Sequence, residues 1–229
     1  MLVTSFAAPA FATNCWIIAS AEGNECIVVD PGMPDVSAQI SHICQDYNLK
    51  PVAVLITHGH LDHTFSIVPT CEGYGIPAYI HSEDRALLIH PERALSEQFA
   101  AGLAGINFTE PPAVKDLKNN DVLSIVGLKI KVIHAPGHTR GSVLFHVDDE
   151  SGNDEESVLL SGDVLFAGSI GRTDQPTGSP QDMETTLRKK IWPLPDSLRV
   201  LPGHGGETTI GREKRVNPFL KGFKDSRSK

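Results

Sequence analysis

The sequence has few cysteines, no excess of basic residues and no long apolar run. Its four cysteines form no Cys-x-x-Cys pair, so free thiols in a reducing cytosol are expected. The formal net charge of −8 argues against a nucleic-acid or anionic-membrane partner, because phosphate binding needs clustered lysine and arginine. No stretch of about 18 apolar residues is present, and no membrane span is predicted. We therefore expect a soluble, cytoplasmic protein.

Short apolar segments separated by turn signals predict many strands and a few helices. Strands are expected at residues 1–6, 14–19, 26–30, 52–56, 77–80, 122–125, 128–133, 142–147, 158–160 and 198–201, and helices at 35–47, 65–73 and 181–191. Residues 82–112 are less regular, and we expect them to form helices and loops at the rim of an active site. The acidic segment 148–156 is expected to be a solvated hairpin loop.

This order of elements is typical of an α/β fold with two mixed β-sheets packed face to face. Helices would cover the outer faces, which gives an αββα sandwich. Hydrophobic residues make up 40% of the chain, enough for a sizeable core. Neither an internal repeat nor a linker divides the chain, and residues 1–229 are interpreted as a single domain.

The most informative segment is residues 57–63, which read Thr-His-Gly-His-Leu-Asp-His and follow the predicted strand 52–56. Within it, four side chains can bind metal: His58, His60, Asp62 and His63. Imidazole and carboxylate are ligands that suit zinc and related divalent ions. A strand that ends in such a cluster carries it to a sheet edge, and the segment therefore predicts a catalytic metal site.

Three further predicted strands lead to a candidate ligand that follows a glycine. These ligands are His138 in Pro-Gly-His-Thr, Asp163 in Ser-Gly-Asp and His204 in Pro-Gly-His-Gly. A glycine at such a position allows the tight backbone turn that a crowded site needs. Together with residues 57–63, and in this order, the motifs resemble the ligand motifs of the metallo-β-lactamase superfamily over roughly residues 10–210.

The resemblance implies a centre with two metal ions. His58, His60 and His138 would hold the first ion, Asp62, His63 and His204 the second, and Asp163 would bridge both. Zinc is the expected ion, with iron and manganese as alternatives. Seven ligands exceed what one tetrahedral ion takes, whereas two ions can share them and keep room for a bridging water.

Such a pair of ions predicts hydrolysis. Two cations about 3.5–4 Å apart lower the pKa of a shared water from about 15.7 toward about 7, so hydroxide forms without a serine or cysteine nucleophile. A thioester suits this chemistry, because a thiol with a pKa near about 8.5 leaves without strong acid assistance. Asp62 and Asp163 are the expected catalytic carboxylates.

Within the superfamily, the chain resembles the short glyoxalase II-like branch, the hydroxyacylglutathione hydrolases. Thiolate-dependent β-lactamases place a cysteine at the position of Asp163, and this chain has no cysteine after Cys71. Residues 162–166, 171–174 and 217–220 look like the short forms. Glyoxalase II contacts glutathione through a Lys-aromatic-aromatic stretch, where this chain has Arg-Thr-Asp at 172–174. Arg172 is therefore the expected substrate-binding residue.

Two alternatives stay open from the sequence. A persulfide dioxygenase of the same fold would use one iron held by His58, His138 and Asp163, a two-His-one-carboxylate set. A metal-binding module without turnover is the other alternative. The expected partner of the leading hypothesis is a small-molecule thioester, with no nucleic acid and no membrane, and the oligomeric state is not predicted. Thr57 and Thr139 are candidates to orient the ligands by hydrogen bonds.

Overall fold

Two six-stranded mixed sheets pack face to face in the computed structural model, which describes residues 1–149 and 157–223. Helices cover the outer face of each sheet, so the predicted αββα sandwich is confirmed. Most of the predicted acidic loop 148–156 lies outside the described residues.

The first sheet contains the first six strands in chain order. They are β1 (Leu2–Ala7), β2 (Asn14–Ala19), β3 (Glu25–Val29), β4 (Lys50–Leu55), β5 (Ala78–His81) and β6 (Val114–Leu117). β1 to β3 pair antiparallel, and β3 to β6 pair parallel. The parallel connections run through α1 (Ser37–Asp46), α2 (Leu61–Thr64), α3 (Ile67–Tyr74) and α4 (Glu97–Ala101).

The second sheet has the order β12-β11-β10-β9-β8-β7. Its strands are β7 (Val122–Ile125), β8 (Leu128–His134), β9 (Val143–Asp149), β10 (Val158–Gly162), β11 (Arg199–Pro202) and β12 (Thr208–Thr209). β10 and β11 pair parallel, while the other neighbours pair antiparallel. The helices of this half are α5 (Pro180–Thr186), which a π turn extends over Leu187–Ile191, and α6 (Ile210–Val216).

Alternation along the strands divides the apolar side chains between the layers. Ile18 of β2 faces the second sheet, whereas its neighbour Ile17 packs in the layer that contains Ile40 of α1. In β10, Leu159 lies in the same outer core as Met183 of α5. Because strand residues point alternately to opposite faces, strands buried on both sides read as the continuous apolar runs seen in the sequence.

The helices start and stop at recognisable signals. Ser179 accepts a hydrogen bond from the backbone N–H of Asp182 at 3.2 Å, and Pro180 occupies the first turn of α5. α3 ends at Gly75, whose φ of 66° is the left-handed conformation common at helix ends. The predicted helices 65–73 and 181–191 therefore correspond to α3 and to α5 with its π turn.

Each of the four cysteines is a free, buried thiol, as the sequence predicts. Within the described parts of the chain, no helix is both long enough and apolar enough to cross a bilayer. The assignment of residues 1–229 to a single domain stays a prediction.

Phe145 tests the location of the central core, because its ring is fully buried between the sheets. Phe145→Ala is expected to lower the free energy of unfolding by about 3–5 kcal/mol, since it removes buried apolar surface and leaves a cavity. Phe219→Ala is the matched control, because this ring is 49% exposed; it is expected to cost less than about 1 kcal/mol. Urea unfolding followed by circular dichroism measures both, and equal losses would contradict this packing.

Candidate metal centre

The ends of four strands bring the predicted ligands to one edge of the sandwich. Residues 57–63 follow β4, His138 lies between β8 and β9, Asp163 directly follows β10, and His204 lies just beyond β11. The two sheets are joined at this edge by backbone hydrogen bonds. Val143 N–H donates to the Thr57 carbonyl at 2.9 Å, and Asn14 N–H donates to the Gly203 carbonyl at 2.7 Å.

All seven predicted metal ligands converge into one group of side chains, here called the ligand cluster. It contains three overlapping sets whose potential ligand atoms lie within 4.8 Å of one another: His58, His60 and His138; His58, His63 and Asp163; Asp62, His63 and His204. His63 is fully buried, and most of the other members are nearly so. The structure thus assembles the predicted residues, which are far apart in the sequence.

The spacing of the facing nitrogens suits a cation. His58 Nε2 lies 3.2 Å from His60 Nδ1, and His63 Nε2 lies 3.2 Å from His204 Nε2. Two nitrogens bound tetrahedrally to one zinc ion at its usual bond length are about 3.3 Å apart. The pairs therefore stand at the separation that a shared ion requires.

Asp163 connects the two halves of the ligand cluster. Its Oδ1 lies 3.4 Å from His63 Nε2, while its Oδ2 lies 3.5 Å from both His138 Nε2 and His204 Nε2. Asp62 stays within the second half, where its Oδ2 lies 3.3 Å from His204 Nε2 and 3.6 Å from His63 Nε2. This arrangement matches a bridging position for Asp163 and a one-sided position for Asp62.

Backbone carbonyls fix the protonation of two histidines. His138 Nδ1 lies 2.7 Å from the Arg172 carbonyl oxygen, and His204 Nδ1 lies 3.0 Å from that of Phe11. Because a carbonyl oxygen only accepts, Nδ1 must carry the proton in both rings. In its neutral form, each ring presents the lone pair of Nε2 to the ligand cluster, as a metal-binding histidine does.

Asp30, which was not predicted, orients two more ligands. The Thr57 hydroxyl donates to Asp30 Oδ2 at 2.6 Å and lies 3.1 Å from His58 Nδ1, so the expected contact of Thr57 with a ligand is present. The same Asp30 oxygen lies 3.0 Å from His63 Nδ1. Asp30 directly follows β3, in the way that the predicted ligands follow their strands. That position was the signal that sequence reasoning overlooked.

Asp84, also not predicted, holds the backbone on both sides of the ligand cluster. Its fully buried carboxylate accepts from Gly59 N–H at 2.8 Å, from the Thr139 hydroxyl at 2.6 Å and from Gly141 N–H at 2.7 Å. Thr139 therefore acts through Asp84 and not on a ligand directly. No local pattern marks Asp84, because its partners come from distant segments.

Buried polar atoms in the ligand cluster support a bound cation. His138 Nε2 and Asp163 Oδ1 are buried and have no hydrogen-bond partner among the described residues. Buried polar atoms without a partner are costly and rare. A divalent ion satisfies both, and imidazole nitrogen and carboxylate oxygen are its usual donors. The residues present therefore fit divalent metal ions.

Two glycines leave the space that the ligand cluster occupies. A Cβ atom at Gly203 would collide with Asp163 Oδ1 and stand 2.7 Å from His63 Cε1. Gly162 has a φ of 47°, a left-handed conformation that most side chains avoid, and a Cβ there would collide with Thr57. The glycine before each of these ligands is thus needed for space as well as for the turn.

The charged groups of the metal-free site stabilise one another. Burial by itself lowers the pKa of His63, but Asp163, Asp62 and Asp30 outweigh it and raise the value to about 9. In the same way, Asp163 and Asp62 overcome burial and raise the pKa of His204 to about 10. Burial raises the pKa of Asp163, yet the neighbouring histidines lower it overall. Both carboxylates of the cluster are therefore ionised at neutral pH.

Burial dominates on the other side of the ligand cluster. It lowers the pKa of His58 well below its usual value, with the neighbouring histidines adding to the effect. Burial and then His138 likewise lower the pKa of His60, to about 3. These two imidazoles are neutral at pH 7, the form that binds a metal ion.

A cleft of about 320 Å³ opens over the ligand cluster. His60, Asp62, His138 and Asp163 line it, and the other lining residues are Phe11, Met33, Leu61, Ala94, Leu95, Phe99, Leu103, Arg172 and Gln175. The segment 82–112 supplies part of the wall, as expected for the rim of an active site. Arg172, the expected substrate-binding residue, lines the cleft, and its guanidinium donates twice to Asp174 at 2.8 Å.

Known proteins are similar to this chain over most of its length. The family model of the metallo-β-lactamase superfamily matches residues 8–204. The hydroxyacylglutathione hydrolase GloC of Haemophilus influenzae is 36% identical over 212 residues, 92% of this chain and 94% of its own. The B3 metallo-β-lactamase BLEG-1 is 33% identical, with a TM-score of 0.81 over 96% of this chain and all of its own. TTHA1623, solved in a di-iron-bound form, is 32% identical, with a TM-score of 0.75 over 96% and 100%.

Asp84→Asn is expected to weaken metal binding by about 10–100-fold. The NH2 group of asparagine would face an N–H or O–H donor in place of the carboxylate oxygen that now accepts its hydrogen bond. Asp46→Asn is the matched control, on a side chain of α1 that is 55% exposed. Dialysis against a competing chelator followed by elemental analysis gives the affinity. Wild-type affinity in folded Asp84→Asn protein would show that this carboxylate does not shape the site.

Metal uptake by the metal-free protein at pH 7 is expected to release protons. His63 and His204, with pKa values of about 9 and 10, are protonated at that pH and must lose the proton to bind. Proton competition weakens as pH rises through these values, so the apparent affinity increases from pH 7 toward pH 9–10 and then levels off. Calorimetry in buffers of different ionisation enthalpy counts the protons. His204→Ala should release one fewer, and pH-independent uptake would contradict the scheme.

Proposed function

The chain belongs to the metallo-β-lactamase superfamily, and on this premise we propose that it is a binuclear metal-dependent hydrolase that cleaves thioesters of the hydroxyacyl type. The observation that carries the proposal is the convergence of five imidazoles and two carboxylates at the base of one cleft. An open cleft over such a site gives a substrate access to the ions, which a purely structural metal site does not need.

Two ions are proposed because the ligand cluster has two halves. His58, His60 and His138 would hold one ion, Asp62, His63 and His204 the other, and Asp163 both. The di-iron form of the similar protein TTHA1623 supports this count. Nitrogen and oxygen donors suit zinc, and also iron or manganese. When bound, such a pair lowers the pKa of a shared water toward about 7 and supplies hydroxide at neutral pH.

The residues of the chain contribute orientation and charge. Asp62 lines the cleft, accepts a hydrogen bond from the Thr13 hydroxyl at 3.0 Å, and is ionised because His63 and His204 lower its pKa against the effect of burial. It can accept a hydrogen bond from water at the base of the cleft and hold that water toward a substrate carbonyl. The thiol of the substrate, with a pKa near about 8.5, leaves without an acid.

The hydroxyacyl substrate class is supported by the likeness to GloC, which is named as a hydroxyacylglutathione hydrolase. A β-lactam is the second candidate, because the similar protein BLEG-1 is a B3 metallo-β-lactamase. The thioester is preferred because GloC is 36% identical over 92% of this chain, and because residues 162–166, 171–174 and 217–220 resemble the short glyoxalase II-like forms. The di-iron form of TTHA1623, which is 32% identical, favours two ions over the single iron of a persulfide dioxygenase.

The proposal is tested by elemental analysis and a substrate panel on the metal-loaded protein. The panel holds a lactoyl thioester, a cephalosporin and a persulfide, with oxygen uptake recorded. We expect two ions per chain and oxygen-independent cleavage of the thioester. One iron with oxygen uptake on the persulfide, or cleavage of the cephalosporin alone, would overturn the proposal.

Asp163→Ala and His60→Ala are expected to lose metal and to lower kcat/KM for the thioester by more than about 100-fold, because each removes a donor from the ligand cluster. His42→Ala is the control for the histidine change, since this side chain is 75% exposed on α1. Full turnover of either ligand variant would refute the assigned site. Metal content and kinetics are measured on the same preparations.

A further inference from the structure

The cleft over the ligand cluster has walls built mainly from apolar side chains. Phe11, Met33, Leu95, Phe99 and Leu103 all line it. Phe11 is 65% exposed to water, and Phe99 is 60% exposed. Exposed apolar surface beside a cleft favours a ligand that covers it with an apolar group.

Phe11 is held beside the ligand cluster by an unusual backbone. Its φ is 62° and that of Ala12 is 55°, a left-handed conformation that is uncommon for a bulky residue. The Phe11 carbonyl accepts from His204 Nδ1 at 3.0 Å, and Ala10 N–H donates to the Met33 carbonyl at 2.9 Å. Such strain persists where the surroundings hold it, often at functional sites. The loop therefore fixes the position of this ring at the cleft.

Phe99 reaches the cleft from a helix with no core of its own. It lies on α4, none of whose five residues is buried. A helix normally places its apolar side chains against a core, whereas α4 presents Phe99 to water and to the cleft. This ring is available to a bound substrate.

The cleft offers little positive charge for an anionic carrier. Among the described residues that line it, Arg172 is the only lysine or arginine. Its Nε and Nη2 both donate to the carboxylate of Asp174, a two-pronged contact that uses the donors best placed for a second carboxylate. A thiol carrier with two free carboxylates, as in glutathione, finds no unpaired guanidinium or ammonium group here.

Arg172 and the aromatic side chains of the cleft lie beside different ligands. Arg172 adjoins His138, whose Nδ1 contacts the Arg172 carbonyl at 2.7 Å, while Phe11 adjoins His204 in the same manner. These histidines belong to opposite halves of the ligand cluster. A thioester whose carbonyl lies over the cluster therefore has the Arg172–Asp174 pair toward one end and an aromatic ring toward the other.

We infer that the site prefers hydroxyacyl thioesters whose acyl group continues as an aliphatic chain of several carbons, and that it does not depend on free carboxylates of the thiol carrier. The chain packs on Phe11 and Phe99, and an amide of the carrier hydrogen-bonds to the Arg172–Asp174 pair. Water adds its oxygen to the carbonyl carbon, the carbon–sulfur bond breaks with its electrons passing to sulfur, and a hydroxy acid and a thiol result. This inference rests on the thioester hydrolysis proposed above.

The first measurement compares three thioesters on the metal-loaded protein: the 2-hydroxypropanoyl and 2-hydroxyhexanoyl thioesters of N-acetylcysteamine, and 2-hydroxypropanoyl glutathione. We expect kcat/KM to rise by about two- to fourfold per added methylene. A rise of about fourfold corresponds to complete removal of one CH2 group from water. With the acyl group held constant, the two carriers should differ by less than about threefold, because the cleft holds no unpaired cation for glutathione.

The second measurement uses variants of the two rings. Phe99→Ala and Phe11→Ala are expected to reduce the ratio of kcat/KM for hydroxyhexanoyl over hydroxypropanoyl by about fivefold or more, as the packing surface is lost. Phe219→Ala removes a similarly exposed ring from outside the cleft and should keep the wild-type ratio. Metal content of every variant is measured to confirm that the ligand cluster is intact.

The outcomes separate this inference from the proposed function. Failure of all three thioesters with a full metal complement would overturn the thioester hydrolase itself. Hydrolysis with no gain from the longer chain, or a preference of more than about tenfold for the glutathione carrier, would overturn the inference and leave the hydrolase standing. An unchanged acyl-chain ratio in both ring variants would also overturn it.

Discussion

The structure depends on holding pairs of imidazole nitrogens opposite each other in a pocket that is largely closed to water. Nitrogens of His58 and His60, and of His63 and His204, lie 3.2 Å apart in a largely buried pocket. Neutral imidazoles at that distance direct lone pairs at each other unless a proton or a cation lies between them. In the metal-free protein, a neutral N–H between His58 and His60 and the protonated rings of His63 and His204 can meet this requirement. In the loaded protein, divalent ions take that place.

The sandwich meets this demand by making the ligand loops short and tying them to buried strands. β4, β10 and β11 each end within a few residues of a ligand, so little chain is left free to move. Behind the ligands stand two buried carboxylates that accept hydrogen bonds from the loops: Asp30 holds Thr57, and Asp84 holds Gly59. In a low-dielectric interior these charged hydrogen bonds are strong, and they fix side-chain directions before any ion binds.

The cleft separates the chemistry of the site from its specificity. Its base carries the ionised and metal-binding groups, whereas its walls come in part from the loop around Phe11 and from α4, none of whose residues is buried. Such wall segments can vary in sequence without disturbing the strand ends that carry the ligands.

Local patterns in the chain were enough to establish the sandwich, the strand ends and the seven donors, because strand alternation and a run such as residues 57–63 depend on neighbours in sequence. Short strands such as β6 and β12 escaped, since their patterns are too brief to stand out. Asp30 and Asp84 acquire their roles through partners 27 and 57 residues away, and the apolar walls of the cleft are assembled from separate segments of the chain. Hydrogen bonds and packing act through space, so they are set by how distant segments meet and not by any residue's neighbours along the chain.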